Sequence, residues 1–68
     1  MQSSDHDLSL LSPTERQIYD LLFGNGEKTP DEIAAFGIKI DDILSALTLL
    51  EIYGLVKAIP GGKYRIAN

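Results

Sequence analysis

The chain contains no cysteine. Disulfides and thiolate metal sites are therefore excluded, and a cytoplasmic address is expected over a secreted one. No run approaches the ~20 apolar residues that a transmembrane helix needs, so no membrane partner is expected. The opening "MQSSDHDLSLLSP" has neither a basic start nor a long apolar core and does not read as a signal peptide. Basic charge is scarce: 6 Lys and Arg stand against 10 Asp and Glu, for a net charge of −4. DNA-binding domains usually carry a basic surplus, because affinity comes largely from neutralised phosphates. DNA contact would here need a local basic patch. The 1 histidine, His6, lies in a polar tail and reads as solvated rather than as a ligand or base. No metal and no cofactor are expected.

What is present suits a small globular domain. Of 68 residues, 44% are hydrophobic and 24% charged, an ordinary balance. A domain this small buries only about 60% of its unfolded surface, and its core supplies roughly 3–5 kcal/mol of net stability. Little is left over to support a strained catalytic pocket.

Residues 1–9 read as a flexible tail or linker and 10–68 as the folded unit. "LSPTERQIYDLLFGNG" has the start signals of a helix. Ser12 is a good N-cap, Pro13 suits the first helical position, and Glu15 completes a capping box. Ile18, Leu21 and Leu22 form its apolar stripe, and Gly24 and Gly26 end it. "KTPDEIAAFG" repeats the pattern with Thr29, Pro30 and Glu32. Ile33 and Phe36 are expected to point inward, and Gly37 stops this short helix. A third helix is expected over Ile40–Tyr53, with Ile40, Ile43, Leu44, Leu47 and Leu50 on one face. Glu51 lies at the edge of that face, and Gly54 is the expected C′ residue. A short helix, a tight turn and a longer helix make a helix-turn-helix signal.

"LVKAIPGGKYRIA" reads as a hairpin around a three-residue "PGG" loop. Pairing Ile59 with Lys63 sets Ala58 opposite Tyr64, Lys57 opposite Arg65 and Val56 opposite Ile66. Alternation then places Val56, Ala58, Tyr64 and Ile66 on the core face, and Lys57, Lys63 and Arg65 outside. Three helices followed by a hairpin make a winged helix, α+β and mainly helical.

At this level the chain resembles the C-terminal winged-helix domain of the DNA-processing protein A (DprA, also called Smf) family. "LSPTERQIYDLL", the "LTLLEIYGLV" segment and the "PGGKYR" wing carry the resemblance, which extends over about 8–68. The family is implied to act in natural transformation and recombination, binding single-stranded DNA and loading RecA. Its main DNA surface belongs to a Rossmann-like domain that is not among these residues. The resemblance therefore implies an accessory domain, with the rest of a parent DNA-processing protein as one partner and RecA, another protein or DNA as others. Leu49 stands where that family is expected to carry a glutamate or another polar residue.

Three functional readings follow. In a DNA-reading helix-turn-helix, the first turn of the third helix approaches bases and phosphates. Here that turn carries Asp41 and Asp42, which would repel the backbone and which suit the helix dipole by about 0.3–1 kcal/mol each. No Arg, Asn or Gln, the usual partners of guanine and adenine, occurs between Ile40 and Tyr53. The first reading is accordingly a protein-contact or positioning module, through Ser45, Leu49, Ile52 and Tyr53 on the outer side of this helix. Its plain counterpart is Ile52 packed under the wing and Leu49 as a lone exposed leucine. The second reading is weak, sequence-independent phosphate binding by Lys57, Lys63 and Arg65, extended by Lys39. Its counterpart is a solvated strip, or pairing of Lys57 or Arg65 with Glu51 or another of the chain's acids. The third is a small stand-alone transcription regulator. An enzyme is not expected: Glu51 lacks a companion acid or nucleophile, and "FGNGEK" and "PGGK" lack the spacing of a phosphate loop.

Overall fold

The computed structural model describes residues 10–67. The tail expected over 1–9, with His6, lies outside the described residues. The order is α1 (Pro13–Asn25), α2 (Pro30–Ala34), α3 (Ile40–Ile52), β1 (Val56–Ile59) and β2 (Lys63–Ile66). This is the winged helix that the sequence predicts.

Both capping boxes form. Ser12 Oγ accepts from the Glu15 N–H at 3.2 Å, and Glu15 Oε1 accepts from the Ser12 N–H at 3.1 Å. Thr29 and Glu32 do the same at 3.1 and 2.8 Å. These bonds satisfy donors that the first helical turn cannot satisfy itself. Lys39, the N-cap of α3, makes no side-chain cap bond. Asp41 and Asp42 answer the positive end of that helix instead. At the other end Gly54 takes φ +78°. Its N–H donates to the Glu51 carbonyl at 3.0 Å, and the Leu55 N–H donates to the Leu50 carbonyl at 2.9 Å. This is a Schellman motif, and it turns the chain from α3 into the wing.

The core gathers Ile18 and Leu22 from α1, Ile33 from α2, Ile43, Ala46, Leu47 and Leu50 from α3, and Leu55 and Val56 at the wing's base. Three inward assignments from the helical pattern do not hold. Phe36 is 53% exposed, Ile40 39% and Leu44 47%. The cause is the brevity of α2, whose 5 residues end before Phe36 and leave one flank of α3 uncovered. The buried stripe of α3 instead turns toward Ala46, whose small side chain faces the start of α1 across a shared groove.

The hairpin has the predicted antiparallel register: Val56 with Ile66, Lys57 with Arg65, Ala58 with Tyr64 and Ile59 with Lys63. Gly61 and Gly62 both adopt positive φ in its loop. On its inner face only the base is covered. Val56 is buried, Tyr64 and Ile66 are half-buried, and Ala58, expected in the core, is exposed because the wing runs past the helices. One pairing was not visible in the sequence. The Lys28 N–H donates to the Tyr64 carbonyl at 3.1 Å, and the Tyr64 N–H donates back at 2.8 Å. This bridge ties the α1–α2 connection to the free edge of β2.

Candidate functional site

Helix α3 and the wing present two surfaces of opposite character. On α3, Asp41, Ser45, Thr48 and Ile52 follow helical spacing on the side away from the buried stripe, and all four are exposed. This is the row that would meet a major groove. It holds a carboxylate, two hydroxyls and an isoleucine. The Thr48 hydroxyl donates to the Leu44 carbonyl at 2.9 Å, so its proton is committed to the helix.

Apolar side chains flank that row. Ile52 is 71% exposed, Tyr53 50% and Leu49 38%. Ile52 therefore does not pack under the wing. Ser45 and Leu49 border a shallow groove with Asp42 and with Thr14 and Glu15 of α1. Glu15 is buried there, its carboxylate held by the capping box. The four residues singled out on α3 thus fall into two neighbouring groups: Ser45 with Leu49 beside α1, and Ile52 with Tyr53 at the wing end. In the sequence their signal was position on the helical wheel alone.

The wing gathers the positive charge. Lys57 and Arg65 are cross-strand partners, Lys63 is two residues from Arg65, and all three are exposed on the outer face. Among the described residues the ion pair that forms is Arg16 with Asp20 at 3.1 Å on α1. Pairing of Lys57 or Arg65 with Glu51 is not present. The strip is not free of acid, however. The Thr29 N–H bond holds the Glu32 carboxyl below the ordinary glutamate range; desolvation opposes it, and the charges of Lys28 and Lys63 add to it. Lys63 therefore shares its field with a carboxylate. Lys39 sits apart. It precedes α3, whose 13 residues span about 20 Å, and the wing starts beyond the opposite end.

Sequence reasoning missed one candidate, Phe23. It lies on α1 outside the stripe of Ile18, Leu21 and Leu22, is 71% exposed, and borders the same groove as Arg65. Its spacing of four residues from Tyr19 was the available signal.

Comparison with known proteins now bears on this geometry. The family profile of the DprA winged helix domain matches residues 2–62. Two relatives named as DNA processing protein DprA come from Mycobacterium tuberculosis strains CDC 1551 and H37Rv, and each is 42% identical over 60 residues. The match covers 87% of this chain but only 15% of each relative. No solved structure matches the chain significantly. Three helices, a hairpin wing and this match across most of the sequence lead to one assignment: the chain belongs to the DprA winged helix domain family.

Proposed function

We propose that this domain is a non-catalytic accessory module of a cytoplasmic DNA-processing protein. That protein would handle single-stranded DNA in natural transformation and recombination and load RecA. Within it, α3 makes a protein contact that positions the domain against the rest of the parent chain. The observation that carries this reading is the outward side of α3. It lacks base-reading side chains, begins with Asp41 and Asp42, and exposes Leu49, Ile52 and Tyr53. Apolar groups so placed stabilise a contact when buried, by about 25 cal/mol per Å² removed from water. A stand-alone regulator would need groove-reading side chains on this helix.

The test is a double substitution, Leu49→Glu with Ile52→Glu. Both side chains are exposed, so the fold is expected to survive. In amide chemical-shift titrations with the remainder of the parent protein, and separately with RecA, the wild-type α3 resonances should move. The variant should lose binding to whichever partner moves them. Retained binding by the folded variant would refute the α3 contact. A second reading, phosphate contact by the wing, is favoured by the exposure of Lys57, Lys63 and Arg65 on one face.

A further inference from the structure

The shallow groove between the start of α1 and the outer side of α3 has a volume of about 250 Å³. Its chemistry changes along α3. Asp42 lines it near the helix start, with Asp41 exposed beside it, and Leu49 lines it two turns further on, a rise of about 10 Å. Past Leu49 the outer side turns apolar, with Ile52 and Tyr53 exposed. Glu15 reaches the groove from α1; it is buried, and its carboxylate accepts the Ser12 N–H. The groove thus has two carboxylates on its walls and no lining side chain of positive charge. Helix α3 itself contains no Lys or Arg. Among the described residues the ion pair that forms is Arg16 with Asp20, so no cation of the described residues pairs with Glu15, Asp41 or Asp42. A partner that covers the apolar end of this surface brings its own side chains against unpaired carboxylates at the other end. Acidic side chains there are repelled, and apolar ones remove water from a charge without replacing it.

We propose that this surface takes an amphipathic helix of a partner protein, lying antiparallel to α3, with apolar side chains on Leu49 and Ile52 and a Lys or Arg at the Asp42 end of the groove. The inference rests on the reading of α3 as a protein contact and specifies what that contact accepts. A helix laid in a groove anchors through side chains one and two turns apart, which matches the spacing of Asp42 and Leu49. The direction follows from charge. Lys and Arg are favoured in the last turn of a helix, where they complement its negative end. A partner helix that presents them to Asp41 and Asp42 therefore ends near the start of α3. The opposite direction would carry its basic end toward the wing, which begins beyond the far end of α3 and holds Lys57, Lys63 and Arg65. The stem of the incoming Lys or Arg packs along Ala46 and Leu49 while its charge reaches the carboxylates. In sequence, such a partner carries two apolar residues one turn apart, followed about two turns later by Lys or Arg.

The experiment titrates the isotope-labelled 68-residue chain with three synthetic helical peptides. The first carries two leucines one turn apart and two lysines two turns after them. The second has glutamates in place of the lysines, and the third has the lysines before the leucines. The first peptide should move the amides of Thr14, Asp42, Ser45 and Leu49, and its affinity should fall with added salt. The glutamate peptide should bind about tenfold more weakly, since like charges then face each other. The reversed peptide should also lose affinity. Asp41→Asn with Asp42→Asn should remove most of the difference between the lysine and glutamate peptides, and Leu49→Ala with Ile52→Ala should weaken all three. Each substituted position is exposed, and far-UV circular dichroism checks the fold. Absence of shifts with the first peptide, equal affinity for the lysine and glutamate peptides, or equal affinity for the two orders would overturn the proposal. Contact with the remainder of the parent protein separates this inference from the α3 reading. If Leu49→Glu with Ile52→Glu abolishes that contact and Asp41→Asn with Asp42→Asn leaves it unchanged, the cationic partner is wrong and the α3 contact stands. If neither variant affects it, both fail.

Discussion

Gly54 offers a test of how the wing is joined to α3. Its φ of +78° is a region that L-residues enter at a cost of roughly 1–2 kcal/mol. A Cβ added there meets nothing within 4 Å, so no steric clash contributes. Replacement by alanine also stiffens the unfolded chain, which returns about 0.4–1 kcal/mol. The expected net loss for Gly54→Ala is about 1 kcal/mol. For a domain with roughly 3–5 kcal/mol to lose, that is a substantial fraction. The melting temperature should fall by about 4–8 °C per kcal/mol at this size. Gly54→Asn should lose less, since asparagine tolerates the left-handed region. The chain is short enough for chemical synthesis, which permits a D-alanine at this position. D-alanine favours positive φ and adds the same methyl group, so its variant should melt at or above the wild type. The assay is thermal and urea unfolding followed by circular dichroism. Equal midpoints for the L- and D-alanine variants would mean that handedness is not what Gly54 contributes.

Two further predictions concern charge. The folded Glu32 carboxyl has a lowered pKa, so on acidification the unfolded chain takes up the proton first. The stabilisation is complete above the ordinary glutamate pKa of about 4.3 and is lost as pH falls through the lowered folded value. Urea midpoints of wild type and Glu32→Gln should therefore differ by a constant amount near neutrality and converge below that range; a difference that does not shrink in acid would contradict it. For the wing, Lys63→Glu with Arg65→Glu should abolish any binding of single-stranded DNA. Wild-type affinity should fall with salt at a log–log slope of about −2 if all three wing cations meet phosphates. Unchanged binding by the double variant would rule out the wing as the contact.

The parts of the fold written in local chemistry were legible. Ser12 with Glu15 and Thr29 with Glu32 gave both helix starts, because a capping box is a contact between residues three apart. The hairpin register followed from one assumption, Ile59 opposite Lys63, since the period of a strand fixes every other pair. What failed depended on neighbours that a wheel does not contain. Ile40 and Leu44 have the spacing of core residues, but α2 is too short to cover them. Ala46 is buried beside the start of α1, and its small side chain gives a helical wheel little apolar signal. The Lys28 bridge is a single pairing without periodicity. For the candidate surfaces, the sequence placed Lys57, Lys63 and Arg65 together. It could not show that Glu32 shares the field of Lys63, or that Phe23 and Arg65 border one groove, because these meetings join distant parts of the chain.

The bridge between Lys28 and Tyr64 has a consequence for the order of assembly. The hairpin and each helix close over short stretches of sequence, whereas this bridge closes a loop that contains α2, α3 and β1. Loop closure costs more entropy as the loop lengthens, so the wing's attachment forms only once the helices already hold the two ends near each other. The bridge rests on two backbone hydrogen bonds, while Leu55 and Val56 anchor the base of the wing in the core. The amide protons of Lys28 and Tyr64 then exchange with solvent through a partial opening in which α3 and the core stay closed. A ligand that grips the wing would act on that joint and, through Leu55, Val56 and Ile66, on the core itself.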